Sequence, residues 1–113
     1  MKHTISREQI KNLLDSGEAI TLVEALPRQY FAKNHLPGAI NLPHDEVEER
    51  AADLLPDRDA LIVVYCASTE CRNSAIARAA LERLGYSHVL EYVEGKQDWL
   101  EAGYPLESAR RAA

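Results

Sequence analysis

Five consecutive apolar or aromatic residues, Leu61 to Tyr65, run directly into Cys66. A short run rich in β-branched residues and bounded by polar segments predicts a strand buried on both faces. Comparable runs occur at Ala19 to Val23 and His88 to Val93, while Ala39 to Asn41 suits only a brief strand closed by Pro43. Thr4 and Ile5 are candidates for a very short one. Between these runs the apolar period becomes helical. Ser6 and Gln9 form a capping-box pattern, and Ile10, Leu13 and Leu14 make one stripe that stops at Asp15-Ser16-Gly17. Pro27 to Lys33 suits a short helix with proline at its first position. His44 to Ala52 predicts a helix with Val47 inward and its carboxylates in solvent. From Asn73 the stripe Ile76, Ala79, Ala80 and Leu84 predicts another, with Gly85 as C-cap. Gly95 opens a last helix through Trp99 and Leu100, which Gly103 and Pro105 end. Alternating strands and helices predict an α/β domain, its mainly parallel sheet covered by helices on both faces.

At 113 residues the chain suits one domain, expected over 1–107 with a tail at 108–113. One Trp, one Phe and one Met leave Leu, Ile, Val and Ala to fill most of the core, with Trp99, Tyr92 and Tyr104 as core and rim packing. A net charge of −5 offers no basic face, which argues against nucleic acid and anionic membrane as partners. The first residues lack a signal-peptide pattern and no stretch approaches transmembrane length, so the cytoplasm is the expected location. Two cysteines are too few for a secreted disulfide framework, and four scattered histidines support no zinc site. No cofactor is expected.

The chemistry concentrates after the central strand. Cys66 stands at its carboxyl end, and Ala67, Ser68, Thr69, Glu70, Cys71 and Arg72 form a short loop before a helix. Amides of such a loop are expected to cradle an anion, and the same field to lower the thiol pKa of Cys66. Ser68 and Thr69 offer hydroxyls to that anion or simply tighten the turn. Cys71 is either a resolving thiol for an oxidised Cys66 or a small packing residue. Asn73 or Ser74 is read as a helix cap, and His35, before Pro37-Gly38, as a structural imidazole bonded to backbone.

Several stretches in order resemble the rhodanese (sulfurtransferase) domain: His35 to Pro43, the strand ending Tyr65-Cys66, Leu84-Gly85-Tyr86, and Asp98-Trp99-Leu100-Glu101-Ala102-Gly103-Tyr104-Pro105. The resemblance implies a five-stranded parallel sheet flanked by helices, with Cys66 carrying a persulfide between donor and acceptor. Three departures stand out. Glu24-Ala25-Leu26 replaces a common Asp-Val-Arg, Glu94-Gly95 replaces a Gly-Gly pair, and five residues separate Cys66 from Arg72. That last spacing resembles phosphatases and arsenate reductases of the same fold.

The resulting expectation is a sulfurtransferase with Cys66 as carrier and Arg72 as charged partner. Its donor would be thiosulfate or an organic or protein persulfide, and its acceptor a thiophile, with a protein acceptor open. A cysteine phosphatase or arsenate reductase using Cys66 and Arg72, and a noncatalytic sulfur-relay module, are the alternatives.

Overall fold

The computed structural model describes residues 3–108. Helix α1 (Arg7–Asp15) begins with the expected reciprocal capping box: Gln9 N donates to Ser6 Oγ at 3.1 Å and Ser6 N to Gln9 Oε1 at 2.9 Å. There follow β1 (Thr21–Glu24), α2 (Arg28–Lys33), β2 (Ile40–Asn41), α3 (Val47–Leu54), β3 (Ile62–Tyr65), α4 (Asn73–Arg83), β4 (Val89–Tyr92) and α5 (Gly95–Glu101). All strand pairs are parallel, in the order β2-β1-β3-β4.

Among the described residues the sheet has four strands rather than the expected five. Thr4 makes only an isolated parallel bridge to Glu91, held by Ile5 N to Glu91 O at 3.1 Å and Glu91 N to His3 O at 2.7 Å. The segment turns into α1 immediately after the bridge, Ser6 already being its N-cap. Two further expectations need adjustment. Helix α3 starts at Val47 because residues 44–46 form a turn, Glu46 N donating to Pro43 O at 2.9 Å. The inner face of α4 carries Ser74, Ala77, Ala80 and Leu81, whereas Ile76 is 47 % exposed; the inner stripe is rotated by about one residue from the one read in the sequence.

Side chains alternate across β3. Ile62 and Val64 pack with α3 and α4, while Val63 and Tyr65 face Ile10 of α1 and Trp99 of α5. Both faces are thus covered, as a parallel sheet requires. Trp99 is fully buried, its indole N–H donating to Pro105 O at 2.8 Å, and Tyr104 meets it edge-on at 4.8 Å.

The far end of the chain is fastened as well. His35 and Glu107 exchange backbone hydrogen bonds of 2.8 Å, and Ser108 Oγ donates to Ala32 O at 3.0 Å. Of the tail expected at 108–113, residues 109–113 lie outside the described residues. No helix among the described residues is long and apolar enough to cross a membrane.

From β1 the chain moves to β2 on one side and then to β3 on the other. This reversal puts a topological switch point at the carboxyl ends of β1 and β3, where open α/β sheets form crevices. Glu24 pairs in register with Tyr65, and Cys66 is the next residue out.

Candidate active site

Cys66 is fully buried at the end of β3. Its thiol hydrogen is shared between two acceptors, Cys71 O and Ser74 Oγ, each 3.4 Å from Sγ. The lowered pKa expected from the loop and helix terminus is not what results. Burial pushes the thiol up and the neighbouring Cys71 side chain adds to this, while the Ser74 hydroxyl and amide pull the other way. A fully buried sulfur loses more solvation than these two groups return.

The loop is a turn stabilised from within. Cys71 N donates to Ser68 O at 3.1 Å and Glu70 N to Ser68 Oγ at 3.4 Å, so these two amides face the loop itself. Ser68 is half-buried, whereas Ala67, Thr69, Glu70 and Arg72 are exposed. Arg72 is the N-cap residue of α4, and its guanidinium has no hydrogen bond or ion pair among the described residues. Both cysteines are free thiols, and Cys71 contributes its carbonyl to the contact with Cys66.

Ser74 is where the sequence reading falls short. It does not cap α4; it sits buried in the first turn with its hydroxyl between two strands' side chains. Oγ accepts from Cys66 and donates to Glu91 Oε2 of β4 at 2.7 Å. Arg78 Nε lies 3.9 Å from the other Glu91 oxygen. The helical spacing of Ser74, Ala77 and Leu81 is the signal that could have placed this serine inward.

Helix α5 closes the loop from the other side. Lys96 N donates to Cys66 O and Gln97 N to Ala67 O, both at 2.9 Å, so first-turn amides without intrahelical partners are satisfied by the loop. The approach requires glycine at position 95. Its φ is +71°, and a Cβ there would stand 2.6 Å from Cys66 O.

Lys96 then anchors the assembly. Its ammonium donates to Glu24 Oε2 at 3.0 Å, Tyr30 O at 3.1 Å and Asn34 O at 2.7 Å, which uses all three protons. Glu24, at the end of β1, is fully buried and also accepts from Tyr65 Oη at 2.8 Å. Burial raises the Glu24 pKa despite the lowering contacts of Lys96 and Tyr65. Leu26, standing where the resemblance implies an arginine, is buried and apolar. His35 is structural as expected: its Nδ1 lies 2.8 Å from Phe31 O and its ring stacks on Phe31 at 3.8 Å.

Beside the loop lies a cleft of about 220 Å³ lined by Ser68 and Thr69 on one wall and Glu94, Gln97, Asp98 and Glu101 of the α5 region on the other. Asp98 is engaged there, Arg7 Nη1 donating to it at 2.9 Å and Tyr92 Oη at 2.6 Å.

The family model described as Rhodanese-like domain matches residues 6–102. Among curated proteins, the chain is 30% identical over 106 residues to a sulfurtransferase from Allochromatium vinosum, covering 94% of this chain and 95% of that protein. It is 42% identical over 64 residues to the thiosulfate sulfurtransferase PspE of Escherichia coli, covering 57% of this chain and 59% of the other. The chain spans about half the length of the first curated relatives it matches. Among solved structures, a rhodanese-like domain from Anabaena superposes with a TM-score of 0.84 at 28% identity, covering 100% of this chain and 86% of that one.

Proposed function

The chain belongs to the rhodanese-like domain family, and from that premise we propose that it is a sulfurtransferase whose Cys66 carries the transferred sulfur as a persulfide. The observation that carries this reading is the position of Cys66, alone among the thiols at the switch point of the sheet and joined to both α4 and α5.

With thiosulfate as donor, the Cys66 thiolate attacks the sulfane sulfur and the S–S bond breaks, its electron pair leaving with sulfite. A thiophilic acceptor then attacks the terminal sulfur, and Cys66 departs as thiolate. Both leaving groups are stable anions, so neither step needs an acid. Loop amides not used within the turn, together with Arg72, hold the anionic donor. The carboxylates of Glu70, Glu94 and Glu101 around the loop and its cleft disfavour a small dianion, which favours an organic or protein persulfide as the working donor and a protein thiol as acceptor. Cys71 is a resolving thiol candidate in this scheme.

A second reading, a cysteine phosphatase or arsenate reductase, rests on Arg72, unpaired among the described residues and separated from the thiol by five residues. A noncatalytic sulfur relay is the third.

The test is the intact mass of reduced protein after thiosulfate or an organic persulfide, before and after cyanide, for wild type, Cys66→Ser and Cys71→Ser. One added sulfur that requires Cys66 and is removed by cyanide is expected. Stable loading without turnover on small acceptors would indicate the relay. No loading from either donor, with aryl phosphate hydrolysis that disappears in Arg72→Ala, would replace this reading with the second.

A further inference from the structure

Behind the sulfur, three side chains form one oriented line. The Cys66 thiol donates to Ser74 Oγ at 3.4 Å, and the Ser74 hydroxyl donates to Glu91 Oε2 at 2.7 Å. Because the serine proton already points to the carboxylate, a lone pair of Oγ faces the thiol. Ser74 is 1 % exposed and the Glu91 side chain 13 %, so the line lies inside the protein. Its far end is fixed twice. The Glu91 backbone is held by His3 and Ile5, and Arg78 Nε stands 3.9 Å from Oε1 with no hydrogen-bond partner of its own among the described residues.

We propose that Ser74 and Glu91 form a proton relay that activates Cys66, with Ser74 as the catalytic group touching the sulfur and Glu91 as the carboxylate that orients Ser74 and receives the proton through it. The proposal rests on Cys66 being the nucleophile. As the sulfur attacks, its S–H bond breaks while an O–H bond forms at Ser74, and the original Ser74 O–H bond breaks while one forms at Glu91 Oε2. The electron pair of the S–H bond stays on sulfur, no oxidation occurs, and Glu91 becomes the neutral acid. Such a path answers a need that the site creates, since a buried thiol is poorly placed to hand its proton to water.

Two simpler roles for Glu91 make different demands. As a bare negative charge it opposes the thiolate, so its removal would speed the thiol. As a structural prop it would affect the thiol equally at every pH. The other ionisable groups packed against the line are Cys71 beside the sulfur, and Arg78 with Glu82, which also faces His3.

The experiment follows alkylation of Cys66 by iodoacetamide from about pH 6 to about pH 10, with the modified cysteine localised by peptide mass spectrometry. It compares the full chain with Glu91→Gln, Ser74→Ala and the double variant. In Glu91→Gln the side-chain amide still accepts the Ser74 hydrogen bond but is not a base. An internal base makes the wild-type rate nearly independent of pH below the titration of the thiol. Each single variant is expected to lose that plateau, falling tenfold per pH unit and at least tenfold below wild type near pH 7, and to rejoin wild type at the alkaline end. The double variant should lose no more than either single one.

A wild-type rate that itself falls tenfold per unit, a Glu91→Gln rate equal to or above wild type, or a uniform slowing at all pH values would each overturn the relay. Alkylation needs no sulfur donor. The relay can therefore fail while Cys66 still takes up sulfur, and can hold if it takes up none.

Discussion

Replacing Gly95 by alanine tests whether the start of α5 positions the cysteine loop. Two costs add at this site. The φ of +71° places alanine in the left-handed region, worth about 1–2 kcal/mol. The new Cβ would also meet Cys66 O at 2.6 Å, Ala67 C at 2.9 Å and Ser68 N at 2.9 Å, all backbone atoms that cannot rotate away. Overpacking of this kind costs about 1–3 kcal/mol. Gly17 supplies the control, with φ +76° and nothing among the described residues within 4 Å of its Cβ position, so Gly17→Ala carries only the first cost. Urea unfolding should place Gly95→Ala about 2–5 kcal/mol below wild type and about 1–3 kcal/mol below Gly17→Ala. Restoring ordinary contact moves Cys66 O from 2.6 Å to 3.4 Å, a shift of roughly 0.8 Å at the proposed sulfur carrier. Misplacement on that scale lowers sulfur loading of Cys66 by up to about a hundredfold, read under conditions where the variant is folded. Equal stability and equal loading in the two alanine variants would refute the tight approach of α5 to the loop.

Lys96→Met strands a buried carboxylate and two carbonyls, and should cost about 3–5 kcal/mol in urea unfolding. The double variant Glu24→Gln/Lys96→Met should recover much of that loss; no recovery would mean that the ammonium acts mainly through the Tyr30 and Asn34 carbonyls. The pH dependence of Glu24 has a definite sign. Its folded pKa lies above the ordinary carboxylate value, so the folded state holds the proton more tightly, and stability falls as pH rises from that value through the raised one. Urea midpoints across this window should decline less in Glu24→Gln than in wild type, and parallel curves would show that Lys96 compensates the burial in full.

Local features of this fold were legible in the chain. The capping box at Ser6 and Gln9, the β3 run into Cys66 and the closing helix at Trp99 each depend on residues within one turn or one strand. What escaped depends on partners far apart. Lys96 and Glu24 are 72 positions distant, and neither alone announces an ion pair. Ser74 looked like a cap because a serine at a helix start usually is one. Its place between Cys66 and Glu91 appears only when β4 arrives beside it. The Cys66 pKa reversed for the same reason: the field of a loop is a local property, whereas burial is set by the whole core.

The bridge at Thr4 has a bearing on where this domain can be cut. The family match begins at residue 6 and ends at residue 102, yet His3 and Ile5 hold both backbone groups of Glu91, and Pro105 receives the indole proton of Trp99. A fragment trimmed to the family limits would leave the outer edge of β4 bare at Glu91 and leave Trp99 without its acceptor. Transplanting this domain into a fusion therefore means carrying residues 3–108 as the unit, with any linker joined outside both fastenings.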